Sequence, residues 1–123
     1  MRTETVYFFD DEEEAAADIL RQTGMPRYAA DTLVYLAKVE EATSRDIERG
    51  TGLRQPEVSL GVNYLKERGW INWRMERPES RGRHIRVFSL AVPIETVLES
   101  ITKEVRKRVK REAVLMRKLR EMG

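Results

Sequence analysis

At 123 residues the chain is sized for one domain, and a 41% apolar content supplies a modest core. The absence of cysteine and the single histidine exclude disulfides, thiolate metal sites and imidazole clusters. Net charge is only +2, from 23 Lys and Arg against 21 Asp and Glu, so charge can direct a partner only through local patches.

Those patches are uneven. Asp10 to Asp18 is acidic, whereas Lys103 to Arg120 is strongly basic. No apolar run approaches the ~20 residues of a membrane span, and the acidic start lacks the features of a secretory signal. A cytoplasmic protein without membrane contact is expected.

In chain order, TVYFF (Thr5 to Phe9) is a short β-prone run, either a strand or an arm that packs on a neighbour. Asp10 and Asp11 then offer a cap to EEEAAADILRQ, whose acidic first turn suits a helix N-terminus. Ala15, Ala16, Ile19 and Leu20 would form its thin apolar face, and Thr23, Gly24 and Pro26 would end it. Glu12 to Glu14 read as a solvated helix start, since adjacent carboxylates on a helix do not converge on one ion. Pro26 opens a second helix over about Arg27 to Glu40, with Tyr28, Leu33, Val34, Leu36 and Ala37 inward and Tyr35 partly exposed.

From Glu41 to Trp70 the pattern is two short helices joined by a Gly-containing turn, the layout of a helix-turn-helix. Thr43 and Asp46 have capping-box spacing. Ile47 faces inward, Gly52 permits the turn and Leu53 plugs it. The second helix begins at Arg54 or Gln55 with Pro56 in its first turn, where a missing N–H costs nothing. Val58, Val62 and Leu65 give it one apolar face, and Gly69 closes it. Gln55, Glu57, Ser59, Leu60, Asn63 and Lys66 remain for solvent or a partner. A major groove about 12 Å wide admits such a helix, and Asn or Gln can pair bidentately with adenine. Without further context these are simply solvated polar residues.

The period then changes. WINWRM (Trp70 to Met75) and HIRVFSL (His84 to Leu90) read as strands of a hairpin around ERPESRGR. Arg74, Arg77, Arg81, Arg83 and Arg86 stand there against only Glu76 and Glu79. An arginine-rich hairpin directly after a helix-turn-helix is a wing, suited to phosphate oxygens or a narrow minor groove. Trp70 and Trp73 fall on alternate faces, so one belongs to the core.

Pro93 starts a last helix from about Ile94 to Glu121. Ile94, Leu98, Ile101, Val105 and Val109 form a stripe that Met116 and Leu119 extend through Ala113 and Leu115. The spacing resembles a coiled-coil seam, and the far half needs a partner, most simply a second copy. The basic run EVRKRVKRE has two readings. It is either the solvated flank of that seam, pairing with Asp10 to Glu14, or a contact to the nucleic-acid backbone.

With these residues in view, Thr43 to Leu90 resembles a winged helix-turn-helix of the MarR and TrmB type, found in archaeal and bacterial transcriptional regulators. The most specific stretch is RQPEVSLGVNYLKERGWI. The resemblance covers roughly residues 26–92. It implies an α+β, mostly α, winged helix-turn-helix with a two-stranded wing and long N- and C-terminal dimerisation helices. Residues 1–25 would be an acidic arm and helix, 26–92 the winged domain, and 93–123 the dimerisation helix. Two positions depart from the usual pattern. Leu60 stands where such helices often carry Arg, and Gly61 costs about 1 kcal/mol relative to Ala inside a helix.

The expected function is sequence-specific binding of double-stranded DNA by a homodimeric transcriptional regulator. Gln55, Ser59 and Asn63 would reach bases. Thr43, Ser44, Arg45 and Arg54 would contact phosphates, Arg77, Arg81 and Arg83 would grip the flanking groove, and Pro56, Lys66 and Arg74 complete the set. A small-molecule or protein effector is left open; a small ligand would bind between the dimer helices, but no residues mark its site. The competing reading is a winged-helix protein–protein interaction module that docks an acidic partner. Catalysis is not expected. His84 has no supporting carboxylate, the serines lack a general base, and Gly50-Thr51-Gly52 is too short for a phosphate cradle. No cofactor or metal is implied.

Overall fold

The computed structural model describes residues 9–77 and 84–123. The chain divides into two compact units, Met1–Val92 and Pro93–Gly123. In the first, α1 (Asp11–Gln22) and α2 (Arg27–Lys38) precede a short strand β1 (Ala42–Thr43). The helices α3 (Ser44–Thr51) and α4 (Gln55–Glu67) follow, then strands β2 (Ile71–Glu76) and β3 (Ile85–Leu90).

The local sequence accounts for each boundary. The Asp10 side chain accepts from Glu13 N–H while Glu13 accepts from Asp10 N–H, each at 2.8 Å, so both ends of this capping box are satisfied. Thr43 and Asp46 close the same motif at the start of α3, at 3.2 and 2.9 Å. At the end of α3, Gly52 adopts φ +77°, the left-handed conformation glycine takes at least cost, and so turns the chain into α4. α4 starts with Pro56 in its first turn, and Glu57 accepts from Arg54 N–H at 3.0 Å.

The core of this unit lies between α2 and the helix pair α3–α4. Leu33, Leu36, Ile47, Val58 and Leu65 are fully buried, each contributing about 1.5–3 kcal/mol relative to an exposed position. Gly61 resolves its own apparent cost. A Cβ there would sit 2.5 Å from the Tyr28 carbonyl oxygen and 2.6 Å from Thr32 Oγ1, so its absence lets α4 approach the α2 backbone. Thr32 Oγ1 in turn donates to the Tyr28 carbonyl at 2.7 Å, which satisfies the hydroxyl within the contact.

Several expectations need correcting. Tyr35 is buried, at 4% exposure, because its ring lies over Gly50, where any Cβ would collide with it. Ala37 is exposed, and α2 stops at Lys38. On α1 the inward residues are Ala17 and Leu20, whereas Ala15 and Ala16 are exposed and Ile19 is 61% exposed. Two ion pairs set that rotation. Arg21 of α1 reaches the buried Asp31 of α2 at 3.7 Å, with Arg27 on the same carboxylate at 3.4 Å. Lys38 meets Glu13 at 3.0 Å, with its ammonium 5.6 Å from the Phe9 ring centroid. Burial pushes the Asp31 carboxyl up, and the Arg27 hydrogen bond and the Arg21 charge oppose that rise.

The hairpin is present, and its sheet gains a third strand in the order β1-β3-β2, all antiparallel. Ala42 pairs with Phe88 and Thr43 with Val87, so the residue that caps α3 is also tied to the wing. Trp70 is buried, while Trp73 is 40% exposed.

The second unit contains α5 (Ile94–Met122). Its 29 residues span about 44 Å at 1.5 Å each. Val109, Val114, Leu115, Met116 and Leu119 are exposed. No helix among the described residues is long and apolar enough to cross a membrane.

Candidate nucleic-acid interface

The outer side of α4 is shaped by what its inner side buries. Val58, Val62 and Leu65 turn inward, so Gln55, Ser59 and Asn63, spaced four apart, share the opposite stripe and are exposed. These three line one wall of a cleft of about 780 Å³. A second wall comes from the start of α3, with Thr43, Ser44, Arg45 and Glu48. The third comes from β3 and the residue just before it, with His84, Ile85, Arg86 and Phe88. Six predicted residues, Thr43, Ser44, Arg45, Gln55, Ser59 and Asn63, therefore border the same space.

The floor of the cleft is rigid where it has to be. Phe88 and Val62 are buried beneath it, and the Thr43–Asp46 capping box holds the start of α3. Arg45 and Arg86 put cations on facing walls, with Glu48 the one acidic group among the lining residues. The walls thus offer amide and hydroxyl groups flanked by positive charge, a combination suited to an anionic polymer that carries hydrogen-bonding edges.

Other predicted residues lie elsewhere. Arg54 and Pro56 are exposed at the start of α4 without lining the cleft, and Arg77 is exposed beyond β2. Lys66 lies one turn past Asn63, its ammonium 4.8 Å from the Trp73 ring centroid. Arg74 is committed to carboxylates, with Nη1 2.7 Å from Glu41 and Nη2 2.7 Å from Glu76. The bonds to Glu41, then Glu76, hold this guanidinium above its ordinary range. Arg81 and Arg83 lie outside the described residues.

The cleft also takes in His84 and Arg86, nitrogen-bearing side chains outside the predicted set. Alternation along β3 carries the signal that would have found them. Phe88 is an inward residue, so Arg86 and His84 fall on its side of the sheet, toward α4. Among the described residues no group of three or more His, Cys, Asp or Glu is placed to hold a metal ion.

Residues 23–83 match the model of the MarR family. No curated protein matches the chain. Among solved structures, the chain resembles TrmBL2, an archaeal chromatin protein described as showing a novel mode of DNA binding. The two share 17% identity at TM-score 0.60, over 89% of this chain but only 40% of that one. It also resembles NadR in complex with 4-hydroxyphenylacetate, at 19% identity and TM-score 0.51, covering 99% of this chain and 97% of that one. A third likeness is to the transcriptional regulator PA4135, at 16% identity and TM-score 0.50, over 90% of each chain. At these identities the likeness is one of fold.

Proposed function

Because residues 23–83 match the MarR family model, we propose that this chain binds double-stranded DNA as a homodimer and regulates transcription. The observation that carries the reading is the single cleft joining Gln55, Ser59 and Asn63 to Ser44, Arg45 and Arg86. α4 enters the major groove, where Gln55 and Asn63 read adenine edges and Ser59 accepts more than one base. Thr43, Ser44, Arg45 and Arg54 contact phosphates, partly through the backbone N–H groups at the α3 N-terminus. Arg77, Arg81 and Arg83 grip the flanking groove. The likeness to an archaeal chromatin protein that binds DNA supports the fold assumed for this reading.

Two copies joined through α5 would set their α4 helices about 34 Å apart, one turn of duplex, and would recognise a two-fold site. Selection of bound duplexes from a random pool tests the proposal directly. It should enrich an inverted repeat with adenine in each half-site, and binding should weaken steeply with salt. Retention of no duplex, together with salt-sensitive capture of an acidic protein, would favour the interaction-module reading instead.

A further inference from the structure

We propose that Trp73 is a positioning residue, holding Lys66 and Arg86 together as one seat for a DNA phosphate where α4 meets the wing. The inference rests on the DNA-binding reading and deepens it. Trp73 lies on β2 opposite Phe88, and Arg86 lies opposite Met75. Arg86 is therefore the diagonal neighbour of Trp73 on one face of the sheet. Its guanidinium is 5.0 Å from the Trp73 ring centroid. From the other side of the junction, the Lys66 ammonium of α4 lies 4.8 Å from the same centroid.

Two cations held at one aromatic ring repel each other, and among the described residues neither has a carboxylate within ion-pair distance. Arg74, on the other face of the same strand, shows the contrast, being neutralised by Glu41 and Glu76. An aromatic ring attracts cations to its faces but carries no net charge, so Trp73 gathers positive charge without cancelling it. A phosphodiester placed there would supply a compensating negative charge. Arg86 also lines the cleft, and Lys66 continues the Gln55–Ser59–Asn63 stripe, so the seat prolongs the proposed DNA path. Trp73 itself is 40% exposed, more than a purely core-filling tryptophan requires.

The test uses the full chain and a labelled random-sequence duplex, titrated between about 50 and about 200 mM salt. Trp73→Leu should weaken binding roughly three- to tenfold, and Trp73→Phe, with a weaker ring face, should fall between Leu and the native residue. Replacing Lys66 and Arg86 together by Gln should lower the salt slope by about one, the share of a single phosphate. In that double-Gln background, Trp73→Leu should cost less than about twofold, because the cations it positions are gone. Should Trp73→Leu fail to fold, Trp73→Phe is compared in both backgrounds instead. An equal loss in the two backgrounds, or an unchanged slope for the double variant, overturns the seat while leaving DNA binding in place. Absence of salt-dependent duplex binding by the native chain overturns both.

Discussion

Gly61 shows how one missing side chain sets the distance between two helices. Replacing it with Ala should gain about 1 kcal/mol of helix propensity. The new methyl, however, meets backbone at the Tyr28 carbonyl, which cannot swing aside as a side-chain tip can. Overpacking of this kind costs about 1–3 kcal/mol, so Gly61→Ala should lower the thermal midpoint despite the better helix former. A raised midpoint would mean that α2 and α4 can part without loss. Arg74 gives a second test at this scale. Because Glu41 and Glu76 hold its guanidinium, Arg74→Ala should leave the salt slope of duplex binding unchanged. A drop of about one in that slope would return Arg74 to the phosphate contacts.

Between elements, the buried Asp31 ties α1 to α2 and makes their packing sensitive to pH. Burial raises its carboxyl above the ordinary 3.8 in the folded chain, with Arg27 and Arg21 opposing. A raised acid binds its proton more tightly when folded, so its stabilisation is present below the unfolded value and is lost as pH rises through the folded one. Asp31→Asn removes that dependence. Measured by denaturant unfolding, the stability of Asp31→Asn relative to the native chain should therefore increase as pH rises from below 3.8 toward neutrality. A decrease would mean that the two arginines outweigh burial. The capping box makes a simpler prediction, that Thr43→Ala should cost about 1 kcal/mol in the same measurement. These caps were legible from sequence because they depend on two residues at fixed spacing, as did the hairpin with its change of period. Strand β1 was not, since Ala42 and Thr43 are too few to show a period and exist as a strand only through Phe88 and Val87. The rotation of α1 was hidden for a similar reason. Ala15, Ala16 and Ala17 are equivalent in type, and only the Arg21–Asp31 and Lys38–Glu13 pairs choose among them. In the cleft, the α4 stripe could be read from helical period alone. The engagement of Arg74 depends on Glu41, distant in sequence, and no local pattern reveals it.

For the molecule as a whole, the proposed dimer assigns a role to α5. Its 29 residues carry Val109, Leu115, Met116 and Leu119 exposed, and apolar groups in such a row are stabilised by a facing helix. The basic residues interleaved with them keep a lone helix hydrated but do not cover this surface. Introducing charge on the seam by Met116→Glu with Leu119→Glu should therefore convert a dimer into a monomer in sedimentation. The substitutions lie far along the chain from the winged fold, so the unfolding transition of residues 9–92 should persist, while any dependence of the midpoint on protein concentration disappears. Binding should separate in the same way. Affinity for a duplex holding one half-site should change little, whereas the advantage of a two-half-site duplex, at least tenfold when both copies engage together, should be lost. A variant that stays dimeric would place the seam elsewhere. One that becomes monomeric yet keeps the two-site advantage would show that the paired α4 helices are not set by α5.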